Sequence, residues 1–190
     1  YIVSGCYNSA LDIIKERLYS GGLHYSLYAR KYLSLLNKLV DRVDDKEIIL
    51  CEKGSVESSL GYYGDALEDL RSCLESLKGA SDEYLLVHVL LQLLRTHIDL
   101  GSADSIVGEI VKEVRNRTSF IRESGDYRLL YRVYNELALV ELFRGDPREA
   151  LKYVLKARAI ARGFGEQFYN GLTMLYLGIT YMYLNNYSKA

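Results

Sequence analysis

One turn motif recurs through this chain at a steady spacing, and no other sequence feature restricts the fold as much. Gly145-Asp146-Pro147-Arg148-Glu149-Ala150-Leu151 is its fullest copy. Gly61-Tyr62-Tyr63-Gly64-Asp65-Ala66-Leu67 is a second, and Gly101-Ser102-Ala103-Asp104-Ser105-Ile106-Val107 is a looser third. Asn185-Asn186-Tyr187-Ser188-Lys189-Ala190 is the fourth. The slot filled by Ala66 recurs at Ile106, Ala150 and Ala190, at intervals of 40, 44 and 40 residues. A fixed period of this size marks a repeat array, in which each unit buries its apolar face only by stacking on a neighbour.

The segments between the turns read as helices. There is one proline, Pro147, and little strand-like alternation. Helices are predicted near 8–20, 24–41, 46–60, 64–78, 82–100, 104–117, 126–144, 147–163 and 166–184, with another starting at about 187. Ser81-Asp82-Glu83 and Gly125-Asp126 offer N-capping oxygens ahead of apolar runs. Asp146-Pro147 sets a cap residue before a proline at the first helical position, where a missing N–H does no harm. Gly79, Gly101 and Gly145 stand where a left-handed C-terminal cap is wanted. Leu130, Val133, Tyr134, Leu137 and Val140 trace one helical face, and Leu151, Val154 and Leu155 another. Short connections imply antiparallel hairpins.

Composition narrows the class of function. The net charge of −1 gives no overall attraction for nucleic acid. Charge is uneven, however. Residues 41–83 hold twelve acids against five bases, and residues 112–162 hold twelve bases against seven acids, which reads as two differently solvated outer faces. Cys6, Cys51 and Cys73 form no close pair. Their spacing argues against a disulfide framework and for a reducing, cytoplasmic setting, with Cys51 and Cys73 as small buried hydrophobes. The most apolar stretch, from Tyr84 to Leu94, contains His88 and Gln92 and ends at Arg95, so no membrane span is expected. The chain begins at Tyr1 and stops at Ala190 inside a repeat, and is read as a piece of a longer protein.

These residues resemble the tetratricopeptide repeat family in a long-period variant. The clearest copy is Tyr134, Leu137-Ala138, Gly145-Asp146, Ala150, Val154 and Ala157. Met174, Leu177-Gly178, Tyr181, Asn185-Asn186-Tyr187 and Ala190 form another, and Gly54, Leu60-Gly61, Ala66, Leu70 and Cys73 a third. Leu90, Leu93-Leu94, Gly101, Ile106 and Ile110 form a weak one, with large residues in the small slots. The resemblance covers residues 46–190, with clear repeats at about 46–79, 82–117, 126–163 and 166–190. Its period of 40–44 exceeds the 34 usual in the family. It implies a single all-α domain over 1–190, an α-solenoid of antiparallel helix hairpins wound as a right-handed superhelix. Residues 1–45 read as a divergent hairpin, the alternative being a helix at 24–41 inserted after a partial repeat.

The sequence shows no catalytic constellation, metal set or cofactor motif. His88 and His97 are nine residues apart and point to opposite helix faces, so both read as surface or groove histidines. Gly163-Phe164-Gly165 has no third glycine and no preceding strand, so it is not a phosphate cradle. Eighteen tyrosines against four phenylalanines suit half-buried seams, and Tyr176, Tyr181 and Tyr183 form the group of most interest. The resemblance implies a concave groove lined by the first helix of each hairpin. By phase, its binding residues are His88, Gln92, Arg95, Asp99, Arg132, Asn135, Glu136, Tyr176 and Tyr183. The expected function is a non-catalytic scaffold that takes a peptide or partner helix there, with no nucleic acid, membrane, metal or cofactor involved. Two alternatives are a sensor segment of a larger ATPase or transcription regulator, and a module that self-associates through Leu175, Leu177 and Met182.

Overall fold

A computed structural model of the chain describes residues 7–20, 29–43, 45–77, 82–165 and 167–185. Its described elements are helical: α1 (Tyr7–Ser20), α2 (Ala29–Leu39), α3 (Lys46–Ser59), α4 (Tyr63–Ser76), α5 (Glu83–Asp99), α6 (Asp104–Glu123), α7 (Tyr127–Phe143), α8 (Pro147–Phe164) and α9 (Gln167–Tyr183). The all-α reading is therefore correct. The predicted helix from 187, the Gly79 cap and the start of the 24–41 helix lie outside the described residues. Contacts divide the chain into two compact units, Tyr1–Thr96 and His97–Ala190, with the division inside α5.

Helix boundaries follow local chemistry. Asp82 Oδ1 accepts from the Leu85 amide, Asp126 Oδ1 from Leu129 and Asp146 Oδ1 from Glu149, each closing the first turn of its helix. Pro147 opens α8. α6 runs to Glu123, six residues beyond its predicted end. Thr118 does not break it because its hydroxyl donates to the Val114 carbonyl one turn back. The helix stops only where Gly125 turns left-handed at φ 76°.

The repeated turn has one backbone form. Amides donate from Tyr62 to Glu57, from Ser102 to His97 and from Asp146 to Glu141. Just inside these, Gly61 donates to Ser58, Gly101 to Ile98 and Gly145 to Leu142. This nested pair of bonds is a Schellman cap, and it needs a left-handed residue at the glycine. Asn185 takes that place in the fourth copy, with φ 55° and its amide donating to Met182. Left-handed residues 61, 101, 145 and 185 keep the 40, 44 and 40 spacing of the sequence motif.

In the first unit, α3 and α4 form the tightest pair. Their register is antiparallel: Cys51 meets Cys73 and Gly54 meets Leu70, positions rising on one helix as they fall on the other. A Cβ on Gly54 would lie 2.7 Å from Leu70 Cγ and 3.1 Å from the Ala66 carbonyl oxygen, so only glycine permits this crossing. α1 and α2 each pack on α3, and Lys15 reaches Asp45 at 2.5 Å. α5 joins α3 where Thr96 Oγ1 donates to Ser58 Oγ at 2.8 Å.

One expectation fails here. Cys51 and Cys73 are fully buried, but they are joined in a disulfide with their Cα atoms 5.5 Å apart. Residues 22 apart with no local motif gave no sign of pairing; the hairpin register brings them face to face. The bond removes the cysteine-based argument for a reducing compartment.

In the second unit, α7 packs between α6 and α8, and α9 packs on α8 and α7. Ala138, Val154, Tyr176 and Leu177 form a core cluster there. Ala150 and Ala157 are fully buried in the slots where small residues were expected. No helix among the described residues is long and apolar enough to cross a membrane.

Candidate functional site

The buried charges of the first unit lie in the α3–α4 seam. Lys53 Nζ sits 2.6 Å from Asp69 Oδ2 and 3.3 Å from Glu57 Oε1. Two carboxyls facing one ammonium away from water cannot both ionise without cost. Burial, and then the hydrogen bond that a protonated Glu57 shares with Asp69, lift the Glu57 carboxyl from 4.5 to about 7, with Lys53 pulling the other way. Burial alone would lower Lys53, but its bonds and attraction to Asp69 and Glu57 outweigh that and raise it.

A raised carboxyl stabilises the folded state below its unfolded value and loses that contribution as pH climbs through the folded one. For Glu57 the window runs from 4.5 to about 7. The Lys53 rise acts only above its ordinary value of 10.5 and leaves this window untouched. Thermal melts of the wild type against Glu57→Gln are therefore expected to diverge with pH. The variant gains on the wild type between pH 5 and 8, because a neutral amide removes the carboxylate repulsion. A constant difference across that range would refute the assignment.

The second unit carries two polar clusters. In the first, Tyr131 from α7 donates or accepts at Thr173 Oγ1 (3.1 Å) and donates to the Tyr169 carbonyl (3.1 Å) on α9. In the second, Tyr134 from α7 and Tyr153 from α8 stack with centroids 6.3 Å apart. Lys156 Nζ lies 5.5 and 5.2 Å from their centroids, and Arg115 lies 5.9 Å from that of Tyr153. Arg122 donates to the Tyr134 hydroxyl at 2.9 Å, and this bond is the main cause of the rise in its pKa. Arg115 also donates to Glu141 at 2.9 Å.

The nine predicted groove residues separate by exposure. His88, Gln92, Asn135 and Tyr176 are buried, at 3, 7, 3 and 8 % exposure, so they offer no open surface. Phase on a helix indicates which face a residue occupies, but not whether that face is covered. Arg95, Arg132 and Glu136 are half-exposed, and Asp99 and Tyr183 are exposed. His88, Gln92 and Arg95 belong to the first unit and the other six to the second. His97, also read as a surface or groove histidine, is buried instead, and its Nδ1 is 2.8 Å from Ser102 Oγ in the turn beyond α5. Of the self-association residues, Leu175 and Met182 are exposed but Leu177 is core.

Gln92 Nε2 and Asn135 Oδ1 have no hydrogen-bond partner among the described residues. An orphaned buried donor or acceptor is costly, so a folded protein seldom keeps one without a use for it. A depression of about 460 Å³ in the second unit is lined by Tyr127, Ala159, Ile160, Gly163 and Phe164. That lining is apolar apart from the Tyr127 phenol and sets up no acid–base pair. Among the described residues no group of three or more His, Cys, Asp or Glu could hold a metal ion. No family model matches the chain, and no curated protein matches it in sequence.

Proposed function

We propose that this chain is a helical-repeat scaffold of tetratricopeptide type, which binds a peptide or partner helix and catalyses no reaction. One observation carries the reading: side chains of equivalent helices touch at sequence separations close to the repeat period. Ser58 on α3 and Thr96 on α5 meet 38 residues apart, and Tyr131 on α7 meets Tyr169 at 38 and Thr173 at 42 on α9. Contacts between like positions of successive hairpins are what a stacked array makes.

Binding is assigned in each unit by itself to half-exposed residues on the first helices of the hairpins, Arg95 on α5 in the first unit and Arg132 with Glu136 on α7 in the second. Arginine donors beside apolar surface suit an extended peptide, whose main chain and carboxylates accept their hydrogen bonds. The orphaned Gln92 and Asn135 amides support this use, since each would gain a partner if the helix face opened toward a bound main chain. Peptides selected from a random library against the whole chain test the proposal. Arg95→Ala is expected to weaken the selected peptides held by the first unit, and Arg132→Ala those held by the second, each on the order of tenfold, the size of one charge-assisted hydrogen bond. Selection that yields no binder, or binders indifferent to both changes, would refute it.

A further inference from the structure

The cationic cluster around Tyr134 and Tyr153 is not used by the peptide site proposed at Arg95 and Arg132. Arg115 and Arg122 lie seven residues apart on α6, two turns along one face, and Lys156 approaches from α8. All three lie against the same two rings. Three neighbouring bases are matched: Arg117 pairs with Glu113, Arg144 with Asp104 and Lys152 with Glu149. Arg122 and Lys156 are exposed and form no ion pair among the described residues. Glu141 engages Arg115, and Glu123 acts weakly on Arg122, which leaves the cluster net positive. The rings hold the cations in place without neutralising them.

We infer that the α6–α7–α8 seam is a second binding surface, for an acidic polypeptide segment whose carboxylates pair with Arg122 and Lys156 and extend toward Arg115. The inference rests on the scaffold reading but uses none of Arg95, Arg132 and Glu136. A carboxylate is the fitting ligand because planar guanidinium groups take it with two parallel bonds. Single-stranded nucleic acid fits less well, because it needs open ring faces for base stacking. Here Tyr134 is buried, and both ring faces are engaged by each other and by Lys156.

The test is fluorescence anisotropy on the full chain with labelled short oligoglutamate, oligoglutamine and oligothymidylate probes. Oligoglutamate is expected to bind in a salt-sensitive way and oligoglutamine not to bind. The double variant Arg122→Gln/Lys156→Gln should weaken oligoglutamate on the order of tenfold or more. Arg122→Lys/Lys156→Arg should keep binding, and circular dichroism should show both variants equally helical. The inference is overturned if oligoglutamate fails to bind, if the glutamine variant binds it unchanged, or if oligothymidylate binds tighter. Library-selected peptides that still depend on Arg95 or Arg132 would then leave the scaffold standing and remove only the seam.

Discussion

Tyr131→Ala is expected to destabilise the second unit by about 4 kcal/mol, the cost of emptying a large aromatic site in a packed interior. Tyr131 is 1 % exposed. Its ring meets Tyr169 edge-on at 5.0 Å and Phe164 at 6.3 Å, so the truncation removes contacts to both α9 and the end of α8 at once. Its hydroxyl ties α7 to the first turns of α9. Tyr131→Phe keeps the ring and loses only that tie, for about 1 kcal/mol, the net worth of a buried hydrogen bond. Thr173 keeps its own bond to the Tyr169 carbonyl at 2.8 Å, which limits the loss. Urea titration of both variants checks the ordering. Equal losses would mean that the ring is not the packing element described.

The second large effect concerns Cys51 and Cys73. A disulfide closing a loop of 22 residues restricts the unfolded chain, and loop entropy puts the loss on removing it at about 3 kcal/mol. Cys51→Ala/Cys73→Ala should lower the unfolding free energy of the first unit, read from urea titration, by that amount and leave the second unit's transition in place. The bond sits one turn from Gly54, where the helices are closest, so alanine on both sides leaves little new cavity and the covalent link dominates. A double variant as stable as the wild type would show that the link adds nothing to the packed hairpin.

The parts of this fold that were legible from sequence are those decided within one or two turns. Asp126, Asp146-Pro147 and the glycines at 101 and 145 act on their own backbone, so their roles follow from residue type alone. The spacing of 40, 44 and 40 survives because each turn is locally determined. What was missed depends on partners distant in sequence. Cys51 and Cys73, and Lys53 with Asp69, meet only through the α3–α4 register. His88, Gln92, Asn135 and Tyr176 have the phase of groove residues, but their burial depends on what covers that helix face. The end of α6 was misplaced because Thr118, a weak helix former, satisfies its hydroxyl within the helix.

The candidate site was correspondingly half legible. Arg95, Arg132 and Glu136 retain the exposure a binding role needs, and Tyr183 stands clear of the core at 61 %. The Tyr134–Tyr153 cluster could not be anticipated, because its members come from three helices and none is unusual alone. The excess of bases from Lys112 to Arg162 was its only trace in sequence. In the fold Arg115, Arg117, Arg144 and Lys152 are matched by carboxylates, while Arg122 and Lys156 stand exposed beside the two rings.

The central claim is that Arg95 and Arg132, on first helices of their hairpins, receive a peptide. Nitrogen-15 NMR of the guanidinium Nε–H groups during titration with a library-selected peptide tests it most directly. Arg95 or Arg132, according to the unit that holds the peptide, is expected to shift in step with binding while Arg122 stays in place. Saturation by the peptide with Arg95 and Arg132 unmoved would contradict the account.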